Sequence, residues 1–580
     1  MIGSVPLEEF SYGLDLSGAD PASLNDALRA VTFEVMSDPI RTGMLVSSMM
    51  LAQQGVALNA LRRMQGENPP PPAELAGDKR FSDPAWTSNP FLLSFVEEYL
   101  IRRQYAQQMV ESSRLPEATK RKARFAMNML LDALAPSNLP WLNPSVIKEA
   151  MNTGGESLVK GLTEMLDDMQ NNGGYPKQVD NSSFTLGENL AATKGEVVFR
   201  NELFELIAYY PQTETVYERP LLMSPPWINK YYIMDLAPGR SFVEWAVSRG
   251  HQVFMMSYRN PDESMRDYTM DTYFTKGLLT ALEVVERLTG APQVNLASLC
   301  LGGTMTALLL AYLAAKDEEH RIGAVTLTNT IVDFAEPGDL GVFTDETTIS
   351  RLEKQMNEKG YLESAEMAHT FYWMRANDLI WSYVVSNWYM GKKPPAFDIL
   401  TWNSDSTRMP AAMHSQYLRA CYLYNLLVVP NAFVLDGVQN DLGNITTPLY
   451  ILGAEADHIA PWRTSFATAQ YVSGPVKYTR TNSGHIAGIC NPPGNPKSCF
   501  WTNDEVEPGE TPDTWLARAT KHQGSWWEDW AAWADAHGGS RRAPYPLPTS
   551  NEPAPGRYVR NETAEPFDFT APTSHEATIA

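Results

Sequence analysis

Apolar residues recur three and four positions apart through most of the stretch from Pro21 to Gly173, the period of helices that cover one face. A proline run, Pro69-Pro70-Pro71-Pro72, and the Leu139-Pro140 step interrupt it. From Gly195 onward the pattern changes, and short β-branched or aromatic runs alternate with helical ones, as a sheet with crossover helices requires. The spacing predicts strands at Leu203–Tyr210, Leu221–Ser224, Gln252–Tyr258, Gln293–Ala297, Gly323–Thr328, Leu449–Leu452 and Val476–Thr481. Between Asp333 and Thr447 strand signals thin out while Trp, Tyr and Met keep helical spacing, which predicts a cap inserted between late strands. After Gly538 prolines cluster and the end turns polar and acidic, which predicts a mobile tail. The expected organisation is a mainly helical N-terminal domain over 1–194, an α/β catalytic domain over 195–538 with its cap at about 333–447, and a Pro-rich tail over 539–580.

Candidate chemistry sits at the ends of the predicted strands. Val294-Asn295-Leu296-Ala297-Ser298-Leu299 runs into Cys300, then Leu301-Gly302-Gly303-Thr304 and a helix-forming stretch, the pattern of a nucleophile elbow with a thiol in place of the usual hydroxyl. A free thiol is only about 3% thiolate at neutral pH, so Cys300 needs a base. Among nine histidines, His485 follows the Val476–Thr481 strand in the turn-prone Asn482-Ser483-Gly484-His485 loop. Asp457 follows the Leu449–Leu452 strand, and Asp333, Asp262 and Glu455 compete for the carboxylate role, Asp333 most strongly because it too follows a strand. Taken singly, each residue also reads as a core thiol, a turn or a cap. Together, the order Cys300, Asp457, His485, each just past a strand, is that of nucleophile, acid and base in an α/β-hydrolase fold with a cap insertion. The backbone N–H of Leu301 and one near Trp227-Ile228, assigned to Ile228, are the expected oxyanion donors.

Composition narrows the partners. Against 46 basic residues stand 68 acidic ones, for a net charge of -22 and with no long Lys/Arg block, so nucleic acid is an unfavourable partner. Four cysteines without a C-x-x-C pair indicate neither a disulfide scaffold nor a zinc site, and a reducing cytoplasm fits them. Met1–Phe10 lacks the basic and apolar regions of a secretory signal. The uncharged stretch from Leu288 to Ala315 has the length of a bilayer span, but Pro292, Gln293, Asn295 and Gly302-Gly303 break its apolar run, so no membrane span is expected there.

Longer segments carry a resemblance. Pro225-Pro226-Trp227-Ile228-Asn229-Lys230, Tyr258-Arg259-Asn260-Pro261-Asp262, the Cys300 box, Trp402-Asn403-Ser404-Asp405, Tyr417-Leu418-Arg419, Asp457-His458-Ile459-Ala460-Pro461-Trp462, Ser483-Gly484-His485-Ile486-Ala487-Gly488, His522-Gln523-Gly524-Ser525-Trp526-Trp527 and Glu552-Pro553-Ala554-Pro555-Gly556-Arg557-Tyr558-Val559 resemble the polyhydroxyalkanoate synthases of the single-subunit class. Ser298 stands where the family's G-x-C-x-G-G box usually has its first glycine.

The resemblance implies growth of a polyester from (R)-3-hydroxyacyl-coenzyme A with release of coenzyme A, no cofactor beyond that thioester substrate, and a cytoplasmic enzyme associated with polyester granules. It implies Cys300 as nucleophile, His485 as base and Asp457 as its orienter. It also implies granule attachment and homodimerisation through the N-terminal domain. Arg419 or Lys230 is a candidate for coenzyme A phosphates and equally for a structural ion pair. Trp526, Trp530 and Trp533 share one helical face, suited to core packing first and granule contact second. The alternatives are a Cys-nucleophile hydrolase, either an acyl-coenzyme A thioesterase or a lactone hydrolase, and a non-catalytic granule binder that kept the fold.

Overall fold

A computed structural model of the chain describes residues 21–569. Met1–Phe10, read above for a secretory signal, and the last residues of the expected tail lie outside the described residues. The chain divides into two compact units, one of residues up to Asp180 with Ala365–Ala396, the other of Asn181–Ser364 and Phe397 onward.

The second unit is built on an eleven-stranded sheet. Its strands are β1 (Gly195–Arg200), β2 (Phe204–Tyr209), β3 (Leu221–Ser224), β4 (Val253–Tyr258), β5 (Val294–Leu299), β6 (Ile322–Thr328), β7 (Leu449–Ala454), β8 (Val476–Thr481), β9 (Cys499–Thr502), β10 (Thr520–Gln523) and β11 (Phe567–Asp568). They lie in the order β10-β9-β8-β7-β6-β5-β3-β4-β2-β1-β11. The run from β4 through β3, β5, β6 and β7 to β8 is parallel, and antiparallel strands close both edges. Buried on both faces, the parallel strands read as near-continuous apolar runs, and each predicted strand is present to within a few residues.

The helical unit contains Pro21–Met36, Pro39–Met64, Pro90–Ser112, Glu117–Ala133, Pro144–Asn152 and Glu156–Asn171. Several starts pair a capping Asp or Asn with proline at the first turn: Asp38, Asn89 and Asn143 each accept backbone N–H bonds there. Helix Pro39–Met64 is long and apolar enough to cross a membrane by length and composition, and it buries none of its residues.

Two expected boundaries are corrected. The insertion between β6 and β7 is not one cap. Residues 365–396 belong to the helical unit, where Trp388 Nε1 donates to Asp168 Oδ2 at 2.8 Å and Trp373 Nε1 to the Tyr175 hydroxyl at 2.8 Å. The tail expected to be mobile is docked as far as residue 569. Buried Glu205 accepts the N–H groups of Arg557 and Tyr558, each at 3.0 Å, and Gln252 exchanges two hydrogen bonds with the Tyr545 backbone. Gly556, at φ 81°, is required there, since a Cβ would stand 2.3 Å from Glu205 Oε2. Proline content suggested a loose chain, but buried acceptors on the sheet hold it.

Candidate active site

The carboxyl ends of the parallel strands gather the site. Cys300 follows β5 with φ 51° and ψ −120°, a backbone conformation costly for a residue with a side chain. Its N–H donates to the Thr328 carbonyl at 2.9 Å and its carbonyl accepts from Gly303 and Thr304, so strand and helix fix the turn from both sides. The two glycines that follow are required sterically. A Cβ on Gly302 would lie 2.3 Å from the Ser224 carbonyl oxygen, and one on Gly303 would lie 1.9 Å from Thr330 Oγ1. The elbow helix thereby packs directly against the end of β3 and the loop leading to Trp227 and Ile228. Ser298 is fully buried, and its hydroxyl bonds Thr306 Oγ1 at 2.7 Å.

The expected base, His485, and the expected acid, Asp457, meet at the next strand ends. His485 Nδ1 donates to Asp457 Oδ2 at 2.6 Å, and Asp457 Oδ1 accepts the N–H groups of Ile459 and Ala460 at 2.9 and 2.8 Å. Cys300 acts electrostatically on the same ring. Burial opposes charge on the imidazole, yet Asp457 and then Cys300 outweigh it and hold its pKa well above the ordinary histidine value. The His485 loop is clamped from outside its own strand. Trp526 Nε1 donates to the Gly488 carbonyl at 2.7 Å and Trp527 Nε1 to that of Ile489 at 2.9 Å. Trp526 and Trp530 are wholly buried, as core packing requires.

The rival carboxylates are engaged elsewhere. Asp262 pairs with Arg259, Glu455 faces Arg480 at 3.6 Å, and Asp333 accepts from Asn425 and Tyr471. Lys230 is buried against Asp405 at 2.7 Å and the Val559 carbonyl at 2.6 Å, and Arg419 is held by Glu346 and Glu353. Both are structural ion pairs. Leu301 N–H opens the elbow helix, and among the described residues neither it nor the Ile228 N–H has a backbone hydrogen-bond partner.

An aromatic group beside Cys300 escaped the sequence reading. The Tyr417 hydroxyl donates to that of Tyr422 at 3.2 Å, Trp227 meets Tyr417 edge-on at 5.7 Å, and Phe334 meets Tyr422 at 4.9 Å. Burial, then Tyr422, Cys421 and Cys300, raises the Tyr417 pKa well above the tyrosine value. Residues 418–423 form a π-helical turn, which lets residues five apart meet, whereas an α-helical reading pairs positions three or four apart.

Strand order, the strand–turn–helix elbow at Cys300 and the order Cys300, Asp457, His485 at successive strand ends fit the α/β-hydrolase fold, and a profile described as "alpha/beta hydrolase fold" matches residues 235–492. A second profile, "Poly-beta-hydroxybutyrate polymerase (PhaC) N-terminus", matches residues 77–246. The chain is 42% identical to the poly(3-hydroxyalkanoate) polymerase of Methylorubrum extorquens, over 96% of this chain and 94% of that one. It is 40% identical to the poly(3-hydroxyalkanoate) polymerase subunit PhaC of Cupriavidus necator, over 83% of each, and 42% identical to poly(3-hydroxyalkanoate) polymerase 2 of Ectopseudomonas oleovorans, over 83% and 86%. The chain belongs to the poly(3-hydroxyalkanoate) polymerase family, whose members are acyltransferases.

Proposed function

We propose that the chain polymerises (R)-3-hydroxyacyl-coenzyme A, with 3-hydroxybutyryl-coenzyme A foremost, into a polyester and releases coenzyme A, carrying the acyl group on Cys300. The observation that carries this reading is a thiol at the elbow of a family whose relatives are polymerases. Exchange between a thiol and a thioester is nearly balanced in energy, so the acyl group loads and leaves without a deep trap. A serine ester would be less reactive.

His485 Nε2 takes the Cys300 proton, the thiolate attacks the thioester carbonyl, and coenzyme A leaves with that proton. His485 then takes the proton of a 3-hydroxyl, whose oxygen attacks the acyl-Cys300 thioester. An ester forms and the sulfur is freed. Asp457 keeps Nδ1 protonated and the ring aimed. The Leu301 and Ile228 N–H groups receive the carbonyl oxygen as it becomes negative, and the dipole of helix Leu301–Ala315 favours the same charge.

The polyester granule in the cytoplasm is the proposed place of work. Support for granule contact is the uncovered apolar length of Pro39–Met64, with Leu51, Leu58 and Leu61 more than half exposed. A homodimer follows from family resemblance.

The test is coenzyme A release from (R)-3-hydroxybutyryl-coenzyme A by wild type and Cys300→Ala, with products separated into insoluble polymer and soluble acid. Polymer from wild type and none from the variant is the expected result. Acid alone makes the enzyme a thioesterase, and release that survives in Cys300→Ala removes the assigned nucleophile.

A further inference from the structure

Three elements meet at Asp333. Its Oδ1 accepts from the Asn425 side-chain amide at 2.8 Å and from the Ala335 N–H at 3.0 Å, while Oδ2 accepts from the Tyr471 hydroxyl at 2.6 Å. Asn425 Oδ1 in turn accepts the Phe334 N–H at 2.8 Å. Asn425 ends the π-turn segment, with φ 49° and its N–H on the Cys421 carbonyl at 3.1 Å, a left-handed position that asparagine tolerates better than most residues. Tyr471 is the last residue of helix Trp462–Tyr471, which starts directly after the loop of Asp457. One carboxylate thus ties the loop after β6 to the end of the segment carrying Tyr417 and Tyr422, and to the helix that continues the acid's loop. Thr464 Oγ1, donating to the Glu336 carbonyl at 2.9 Å, adds a second clasp between the first and last of these.

Phe334 adjoins Asp333 in the chain, and its N–H is held by Asn425. It packs on Tyr422 at 4.9 Å and on Tyr417 at 6.3 Å, and Trp227 covers Tyr417 from the side of the expected oxyanion loop. Without Asp333, the Asn425 side chain that holds the Phe334 N–H loses its own anchor.

We infer that Asp333 is a positioning residue that keeps the aromatic cover of Phe334, Tyr417 and Tyr422 seated beside Cys300, so that the acyl thioester meets a chain hydroxyl and not water. The inference rests on the polymerase reading. In the side reaction it suppresses, water adds to the thioester carbonyl, the carbon–sulfur bond breaks, and free acid leaves while the sulfur regains a proton through His485.

The measurement is soluble 3-hydroxybutyrate formed per coenzyme A released, in wild type, Asp333→Ala and Tyr471→Phe. Asp333→Ala removes all three hydrogen bonds to the carboxylate and Tyr471→Phe removes one, so the acid share rises about tenfold in the first and about threefold in the second. This ratio is independent of how much of a preparation is folded, so a merely structural role does not move it. If Asp333→Ala does not fold, Tyr471→Phe decides alone, because it removes one oxygen at a helix end. Wild-type polymer with an unmoved ratio in the folded variants overturns the inference. A wild type that yields only acid overturns the polymerase reading, and this inference with it.

Discussion

Helix Leu301–Ala315 and helix Pro39–Met64 are alike in make-up and opposite in surroundings. The first has no charged residue and buries thirteen of its fifteen residues. The second has no charge between Arg41 and Arg62 and buries none of its 26. Their glycines separate them further: Gly302 and Gly303 have backbone or side-chain atoms where a Cβ would go, whereas Gly43 and Gly55 have nothing within 4 Å. Apolar composition therefore does not choose the role of a helix. In the hydrolase unit the close approach of neighbouring backbone makes the helix a precise support for Cys300. In the helical unit the same kind of sequence leaves apolar surface exposed among the described residues.

The sharpest break of this comparison is Gly302→Ala. The added carbon would stand 2.3 Å from the Ser224 carbonyl oxygen and 2.6 Å from that of Pro225, both backbone atoms that cannot swing aside. Elbow and oxyanion loop must separate, at a cost of about 1–3 kcal/mol in stability. With catalytic groups displaced by about 1 Å, coenzyme A release falls by a hundredfold or more, roughly the loss expected of such a shift. Near-normal turnover would mean that the elbow helix tolerates the same freedom as Pro39–Met64.

Comparable in size is Asp457→Asn, which tests the charge arrangement beside the buried elbow. Turnover is expected to fall about 10²–10⁴-fold through loss of ring orientation. Asp457 is the strongest influence raising the His485 pKa, so the ring should titrate at lower pH in the variant, as followed by the imidazole NMR resonances. Because the wild-type folded value lies above the unfolded one, the protonated ring's stabilisation is fully present below about pH 6.5 and is lost as pH rises through the folded value. The variant should lose that stabilisation at lower pH. An unchanged titration would place the raising influence elsewhere.

How much of this was legible varies with the distance between partners. The elbow was readable because its small residues adjoin Cys300 in the chain, and the Asp457–His485 pair because each follows a β-prone run closely. Tyr558 was not, since its partner Glu205 lies 353 residues away, and Trp388 was not, with Asp168 at a separation of 220. β10, Thr520-Lys521-His522-Gln523, gave no strand signal because all four residues are exposed on a sheet edge and lack apolar alternation. Tyr422 was hidden by the π turn that sets it beside Tyr417. Local chemistry survives in sequence, whereas contacts made by folding do not.

A smaller effect separates the two helices by function. Leu51 and Leu58 are 67% and 60% exposed, so Leu51→Asp with Leu58→Asp should leave release from soluble substrate within about twofold of wild type, there being no burial to lose. Two removed leucines should weaken sedimentation with polymer by about tenfold or more. Equal co-sedimentation would assign granule contact to another surface.

The smallest effect is Gly55→Ala, the counterpart of Gly302→Ala. Gly55 lies inside helix Pro39–Met64 with open space where its Cβ would be, and its φ is not among the positive values. Alanine fits the same backbone and restricts the unfolded chain, which favours the helix by about 0.5–1 kcal/mol. Amide hydrogen exchange in the middle of the helix should slow by roughly two- to fivefold, since local opening becomes that much rarer. If exchange quickens instead, position 55 is in contact with a surface that a methyl group disturbs, and the helix is covered in solution. The same added carbon then discriminates between a helix held by its own fold and one waiting for a partner.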